Sequence, residues 1–556
     1  MKKIIVIGGL SAGPSAAAKA RREDENAEIT LFEKGANISY ATCGMPYALS
    51  GVIESREDLI VVEPSLMRER FNIDVRLEEE VIQIETESKN VITTKGNYKY
   101  DKLVFATGAR SIVPPIEGVE KSSNWSTCRT MGDFDKIMKE AMASEAKNIS
   151  VIGAGLIGVE VAENLAEAGK NVTLIEGANS ILPMWDEKFG FFAQSELENK
   201  GINVITGNFV HKFGTANDKI QSVHVAHHDI DTDFVILSIG IRPNTELLTS
   251  QGAKHIGNGA LIVNENMETS IKDVYAAGDN VSIKNLQTGE HDYFPLGTHS
   301  NKGGRAAGAN ATGKNIKVKG AYKTAIIKVF GYTMARTGLN ATALTKLNKA
   351  YKTVVTIAGA TPGYYPGKTD IISEIYYDPK TEVILGGEFF GEVGVDKRVD
   401  VLSTAIYAKL KITDLAQLDL AYAPPFSPAK DPLVVAGFVA ENINNDKCSQ
   451  ISTADYKEFL ETNEAYTLID VRNEDEYKAG HIPSAINIPL PVLRKNIAQL
   501  DQNKKTIIYC QKGLRGYVAR LILKHNGFMN TVSIAGGYKI WEMMKEEIHV
   551  PETIEA

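Results

Sequence analysis

Apolar residues in this chain gather in short runs at several places. Ile4-Ile5-Val6-Ile7 has no polar interruption, as a parallel strand buried on both faces requires, and it runs into Gly8-Gly9-Leu10-Ser11-Ala12-Gly13 and an alanine-rich stretch. The pattern predicts strand, glycine turn and helix, then a second strand over 29–32 that ends at Glu33. It recurs at Ile149-Ser150-Val151-Ile152, followed by Gly153-Ala154-Gly155-Leu156-Ile157-Gly158, a helix to about Gly169, and a strand over 172–175 ending at Glu176. Two further segments, Leu103-Val104-Phe105-Ala106-Thr107-Gly108-Ala109 and Asp273-Val274-Tyr275-Ala276-Ala277-Gly278-Asp279, predict that the first domain is interrupted and later resumed. Near the C-terminal end, Thr506-Ile507-Ile508-Tyr509 predicts a strand that delivers Cys510 to a short loop and an amphipathic helix.

With 556 residues the chain is too long for one hydrophobic core, so three or four domains are expected. The apolar fraction is 43% and the formal net charge is −8, without long blocks of one sign, which excludes a broad field able to hold a nucleic-acid backbone. The start, Met1-Lys2-Lys3 and then 4–7, imitates a secretory signal only briefly before glycine and serine end the apolar run. No stretch approaches the roughly 18 to 20 apolar residues of a membrane span, and a cytoplasmic protein is expected. The four cysteines, Cys43, Cys128, Cys448 and Cys510, form neither a disulfide framework nor a metal site by spacing. Cys128 reads as structural and Cys448 as an incidental surface residue.

The glycines carry the first chemistry. Gly8 permits the tight turn, Gly9 lies beside it, Gly13 permits close helix packing, and the helix N-terminus offers free N–H groups to a pyrophosphate. Leu10 stands where the second motif glycine is usual, but Glu33 supplies the acidic side chain that can bind a ribose hydroxyl. In the second copy Gly153, Gly155, Ile157 and Gly158 complete the pattern. Glu176 there would repel a 2′-phosphate and no arginine follows it closely, which favours NADH over NADPH.

This order of motifs, over roughly residues 1 to 440, resembles the pyridine nucleotide–disulfide oxidoreductases, whose split first domain holds FAD and whose inserted domain holds the nicotinamide cofactor. The resemblance implies that Gly278 and Asp279 lie at the ribityl and phosphate end of the flavin. It implies further cofactor contacts at Lys34, Val81, Ala106, Thr107, Gly108 and Arg129, and that Ser238-Ile239-Gly240-Ile241-Arg242-Pro243, with Gly240, closes the nicotinamide domain.

Tyr40-Ala41-Thr42-Cys43-Gly44-Met45-Pro46-Tyr47 places Cys43 where it can open a helix, a position that favours thiolate. Disulfide reductases of the superfamily commonly carry a second cysteine five positions on, where this chain has Ala48, so Cys43 has no internal partner. A lone sulfur leaves three outcomes open: a mixed disulfide with a substrate thiol, a persulfide, or a sulfenic acid formed with peroxide. The segment resembles the active-site segment of coenzyme A-disulfide reductases and their persulfide-reducing relatives, with Thr42 in place of an asparagine. By that resemblance Ser15, Lys19, Arg22, Ser39, Thr42, His299, Arg305 and Lys430 hold coenzyme A, and the charges of His299 and Arg305 meet its phosphates. Tyr364 (chosen over its neighbour Tyr365) and Tyr422 resemble the paired tyrosines that reach the active sulfur from the other subunit of a homodimer, with its interface in about 320–440. Peroxidase-type relatives place a histidine inside the first glycine motif. The first histidine here is His211, which favours a disulfide or persulfide substrate over the NADH oxidase or peroxidase alternative.

The C-terminal stretch strongly resembles rhodanese domains: Tyr466-Thr467-Leu468-Ile469-Asp470-Val471-Arg472, then Gly480-His481-Ile482-Pro483, then Cys510-Gln511-Lys512-Gly513-Leu514-Arg515. Backbone N–H groups of so short a loop can curl around one sulfur and stabilise a persulfide anion, with Lys512 and Arg515 expected to lower the Cys510 pKa. The expected fold is therefore α/β, with two Rossmann-like domains, an α+β dimerisation domain and an α/β rhodanese domain. The divisions are 1–110 with 250–320 for FAD, 111–249 for NAD(P)H, 321–440 for dimerisation, 441–452 as linker and 453–556 for the rhodanese. The activity expected is NADH-dependent reduction of a persulfide, polysulfide or coenzyme A disulfide through Cys43, with sulfane sulfur carried on Cys510. A sulfur carrier or redox sensor is the rival from another class.

Overall fold

The computed structural model describes residues 1–226, 228–462 and 464–544. The remainder of the stretch 453–556 assigned above to a rhodanese lies outside the described residues. The chain divides into two compact units, one formed by Met1–Leu182 with Leu197–Lys323 and the other by Pro183–Glu196 with Thr324 onward.

In the first unit the predicted apolar run forms Lys3–Ile7 at the middle of a five-stranded parallel sheet, in the order Val274–Ala276, Lys102–Phe105, Lys3–Ile7, Glu28–Phe32, Asp74–Arg76. Ile4 and Val6 are fully buried, which is why the run has no polar position. The late strand Val274–Ala276 pairs with Lys102–Phe105, so the domain is indeed resumed after an insertion. The insertion has its own parallel sheet, in the order Asn203–Ile205, Asn171–Ile175, Asn148–Ile152, Phe234–Leu237, Trp125–Thr127. The second helix ends at Glu167, with Gly169 just beyond it in left-handed conformation.

Helix Ala12–Glu23 packs against helix Gly297–Ala311 with almost no space between their backbones. A Cβ added at Gly304 would stand 2.3 Å from the Ala12 carbonyl oxygen, and one at Gly308 would stand 2.0 Å from that of Ala16. These glycines exist to let two helices touch.

The second unit contains an antiparallel sheet in the order Ala325–Val329, Tyr332–Gly338, Ile384–Gly391, Asp370–Tyr377, Lys352–Gly359. It also contains a parallel sheet in the order Gln450–Ile451, Thr531–Ile534, Lys505–Tyr509, Tyr466–Asp470, Ile486–Asn487. Residues 183–196 were assigned from sequence to the nicotinamide-binding stretch but pack here instead. Asp186 explains the difference: it accepts from the Thr342 N–H at 3.0 Å and hydroxyl at 2.6 Å, and from the buried Tyr376 phenol at 2.7 Å.

Two readings of the polar stretch 441–452 change. The segment taken as a linker carries the end of helix Pro432–Asn444 and the strand Gln450–Ile451. Cys448 is buried at 5% exposure and is not a surface residue, because its backbone N–H is bonded to Asn442 and the strand after it joins the sheet. Cys128 is buried, as expected of a structural thiol. Among the described residues no helix is long and apolar enough to cross a membrane.

Because Gly308 leaves no room for a methyl group, Gly308→Ala is expected to destabilise the first unit by about 1–3 kcal/mol, as overpacking does. Gly297→Ala, where nothing lies within 4 Å of the new carbon, should change stability by less than about 0.5 kcal/mol. Urea unfolding of the two variants side by side checks the contrast; equal midpoints would show that the helices part without cost.

Candidate active site

At the first glycine turn, a Cβ on Gly8 would meet the Ala106 carbonyl oxygen at 2.2 Å, so only glycine lets the turn pass over the neighbouring strand. No side chain caps the following helix at Ser11, which leaves its first N–H groups free for an anion. Glu33 accepts from the N–H of Gly9 at 2.7 Å and of Gly35 at 2.8 Å, holding the turn from the end of the next strand. The second copy repeats the device. Glu176 accepts from Ala154 at 2.7 Å and Ala178 at 2.9 Å, and the helix after Gly155 is again uncapped by any side chain.

A cavity of about 760 Å³ opens from the first turn, within the size range of cofactor sites. Of the predicted contacts, Gly8, Gly9, Glu33, Lys34, Val81, Ala106, Thr107, Gly108 and Arg129 line it. Arg129 donates to Asp279 at 2.8 Å and to the Ala109 carbonyl at 2.7 Å, and the Asp279 carboxylate also takes the Ser300 hydroxyl at 3.3 Å. Asn244, not singled out from sequence, exchanges two hydrogen bonds with Thr107. Tyr40 also lines the cavity, its phenol pushed up to about 12 by burial and by the Glu33 charge. Volume, free helix N–H groups and the glycine turn together suit a dinucleotide.

Cys43 lies exposed on the helical turn Thr42–Gly44, which leads directly into Met45–Leu49. Ser39, just before it, is held in left-handed conformation (φ 50°) by backbone bonds to Gly9 and Val61. The Tyr47 phenol donates to Glu160 at 3.3 Å. Burial first, then Glu160 and Glu163, and also Cys43 raise the Tyr47 pKa, so the phenol stays protonated between a sulfur and two acids. Burial pushes Glu160 up to about 7, Glu163 adds to the rise, and the Tyr47 hydrogen bond opposes it.

The residues predicted to hold coenzyme A fall mostly on the two touching helices. Ser15 donates to Asn301 at 2.8 Å, and Lys19 is ion-paired with Glu23. Arg22 lies 5.7 Å from the centre of the Phe71 ring. Arg305 and Lys314 add positive charge around Glu23. Burial first, and then Lys302, hold the His299 pKa below the ordinary value, which disfavours the charged ring. In the second unit Tyr364 and Tyr422 are exposed and hydrogen-bonded to each other, which raises the Tyr364 pKa. Tyr365 is half-buried and Lys430 exposed.

Cys510 is 2% exposed at the end of Lys505–Tyr509. The loop after it turns at Gly513 (φ 134°), a conformation few side chains adopt, and this brings the Gly513 N–H to 3.1 Å from the Cys510 sulfur. Gln511 accepts from Arg472 at 3.1 Å, and Leu514 opens the following helix with 75% exposure. The two cations expected to act on the sulfur are both engaged. Arg515 makes a two-pronged pair with Glu476 at 2.6 Å, which raises its pKa further, with a smaller contribution from Cys510. Lys512 pairs with Asp370 at 2.8 Å.

A family model described as pyridine nucleotide-disulphide oxidoreductase matches residues 2–292. The chain belongs to the pyridine nucleotide-disulphide oxidoreductase family. It is an oxidoreductase, and the family's cofactors are FAD and NAD(P)H. The family's dimerisation domain matches residues 324–433, and a rhodanese-like domain matches 452–544. A solved structure titled as reduced Bacillus anthracis CoADR-RHD is similar over 99% of both chains, at 36% identity and a TM-score of 0.94. A NAD-dependent persulfide reductase from A. fulgidus is similar over 97% of this chain and 100% of its own, at 34% identity and a TM-score of 0.91. An NADH oxidase from Methanocaldococcus jannaschii is 34% identical over 78% of this chain and 97% of its own.

Within the family's frame, Glu160 and Asp370 are, with Asn244, among the residues that motif reading missed. Glu160 has a sequence signal, lying two positions after Gly158 on the helix of the second glycine motif. Asp370 has none, since its partner is 142 residues away.

Glu160 gives a stability prediction whose sign is fixed. Its folded pKa stands above the ordinary 4.5, so the fold prefers the protonated acid, and that contribution is lost as pH rises from about 4.5 through about 7. Glu160→Gln should match the parent near pH 4.5 and become the more stable protein by pH 8. Urea midpoints that run parallel for both proteins across that range would show Glu160 ionising freely in the fold.

Proposed function

We propose that this enzyme uses NADH to reduce a persulfide, a polysulfide or a coenzyme A disulfide at Cys43, and that Cys510 carries sulfane sulfur for it. The observation that carries this reading is the presence of two free thiols in opposite settings: Cys43 exposed on a helical turn, Cys510 enclosed by a backbone loop. The similarity to a persulfide reductase over 97% of the chain supports it, because that match spans both thiols, whereas the NADH oxidase match covers 78%.

FAD, taking electrons from NADH, supplies the reducing equivalents. Cys43 attacks the S–S bond of the substrate. Attack at the carbon-bearing sulfur expels hydrosulfide and leaves a mixed disulfide. Attack at the outer sulfur expels the thiol and leaves Cys43 persulfidated. Two electrons and a proton then restore the thiolate, so the sum is persulfide plus NADH and a proton giving thiol, hydrogen sulfide and NAD⁺. Glu176 favours NADH by repelling a 2′-phosphate. Ser15, Lys19, Arg22, Ser39, Thr42, His299, Arg305 and Lys430 are assigned to coenzyme A. By family resemblance the Tyr364–Tyr422 pair comes from the second subunit of a homodimer and donates a proton to the leaving sulfur. The enzyme is assigned to the cytoplasm.

Anaerobic NADH oxidation with coenzyme A persulfide, coenzyme A disulfide, polysulfide and peroxide, each offered separately, tests this reading. The expected result is turnover with persulfide or polysulfide and hydrosulfide released in step with NADH loss, abolished in Cys43→Ser with FAD retained. Undiminished turnover in that variant would sink the proposal, and peroxide as the sole substrate would favour the oxidase or peroxidase alternative.

A further inference from the structure

Asp370 joins two parts of the second unit that carry separate chemistry. Its backbone opens strand Asp370–Tyr377, opposite Gly359 at the end of Lys352–Gly359, so it stands at the base of the hairpin loop 360–369 that displays Tyr364. Its carboxylate grips the other part. One oxygen takes Lys512 at 2.8 Å, two residues after Cys510, and the other takes Lys539 at 2.9 Å. Lys539 belongs to the same cradle, for its N–H donates to the Gln511 carbonyl at 3.1 Å and that of Tyr538 to the Cys510 carbonyl at 2.8 Å. The Asp370 side chain is 18% exposed, against 45% for Lys512, so the carboxylate is the better shielded partner. Burial alone would raise its pKa, but the two ammonium groups outweigh that and keep it ionised.

The pairing decides the electrostatics of the sulfur loop. Lys512 is held by Asp370, which it shares with Lys539, while Arg515 is paired with Glu476 and Arg472 with Asp470. Capture of a donor then rests on backbone N–H groups such as that of Gly513, which suit one negative charge on one sulfur. A doubly charged donor needs a free cation, and the docked loop supplies none from these three residues.

Resting on the reading of Cys510 as a sulfur carrier, we propose that Asp370 is a positioning residue of the sulfur loop: it fastens the loop to the Tyr364 hairpin and, by the same contact, withdraws the Lys512 charge from Cys510. The docked loop takes singly charged persulfide donors in preference to thiosulfate. Transfer from either forms a new S–S bond at Cys510 as the donor's S–S bond breaks, with the electron pair leaving on the thiol or, for thiosulfate, on sulfite.

The test is alkylation of Cys510 in the full-length holoenzyme by iodoacetate and by iodoacetamide, read by mass spectrometry of the peptide that contains it. The ratio of the two rates reports local charge and needs no sulfur-transfer activity. Asp370→Asn is expected to raise the iodoacetate-to-iodoacetamide ratio by about 3–10-fold, the effect of one carboxylate charge removed at partly screened range. Asp370→Glu should keep the parent ratio, Lys512→Gln added to Asp370→Asn should cancel most of the rise, and Lys539→Gln added instead should cancel little of it. If Asp370→Asn speeds both reagents equally, or the rise survives without Lys512, the contact is mere packing and the proposal is overturned. The thiosulfate KM for Cys510-dependent sulfur transfer to cyanide should fall in Asp370→Asn with kcat unchanged. A shifted ratio with no transfer by any of the proteins would uphold the charge effect and remove the carrier role.

Discussion

A strand that ends in a turn too tight for side chains, with unpaired N–H groups pointing outward, is the constraint on which this molecule is built. Among the described residues it occurs at the two glycine turns, and the loop after Cys510 is a looser relative of it. At Gly8 and Gly153 a Cβ would strike a carbonyl oxygen of the neighbouring strand at 2.2 and 2.5 Å. Around Cys510 the crowding comes from the far side, where a Cβ on Gly537 would stand 2.1 Å from the Cys510 carbonyl oxygen. In each case backbone donors are left where an anion can be held: on the proposed reading, a pyrophosphate at the first two and a sulfur anion at the third. Carboxylates fix the surroundings, with Glu33 and Glu176 holding their turns and Glu476 holding Arg515 beside the third.

The two sulfurs differ in ways that match different tasks. A redox sulfur must meet a bulky substrate, and Cys43 is exposed, with Tyr47 and a high-pKa acid, Glu160, close behind it. A carrier sulfur must hold a reactive persulfide without losing it to water, and Cys510 is enclosed, with an N–H 3.1 Å from the sulfur. The cations near Cys510 are each held by a carboxylate, with Asp370 shared between Lys512 and Lys539.

Local pattern made much of the architecture legible. Unbroken apolar runs marked central parallel strands because both faces of such strands are covered, and the glycine turns stood out because backbone contact tolerates nothing else. The restart of the first domain at 273–279 was readable for the same reason, as was the short loop after Cys510. Helix Gly297–Ala311 was not recognised by its packing, though the reason for Gly304 and Gly308 is plain once the Ala12 and Ala16 carbonyls are beside them.

Side-chain chemistry within those sites was decided by residues far apart in the chain. Neighbouring residues alone told where backbone must pass close to backbone, where anions can be held, and that Cys43 and Cys510 have no cysteine partner nearby. The fold was needed to show that burial lowers the His299 pKa, that Cys448 is enclosed and that Asp370 claims Lys512. Backbone geometry is written in neighbouring residues, whereas burial and charge pairing depend on which distant segments fold together.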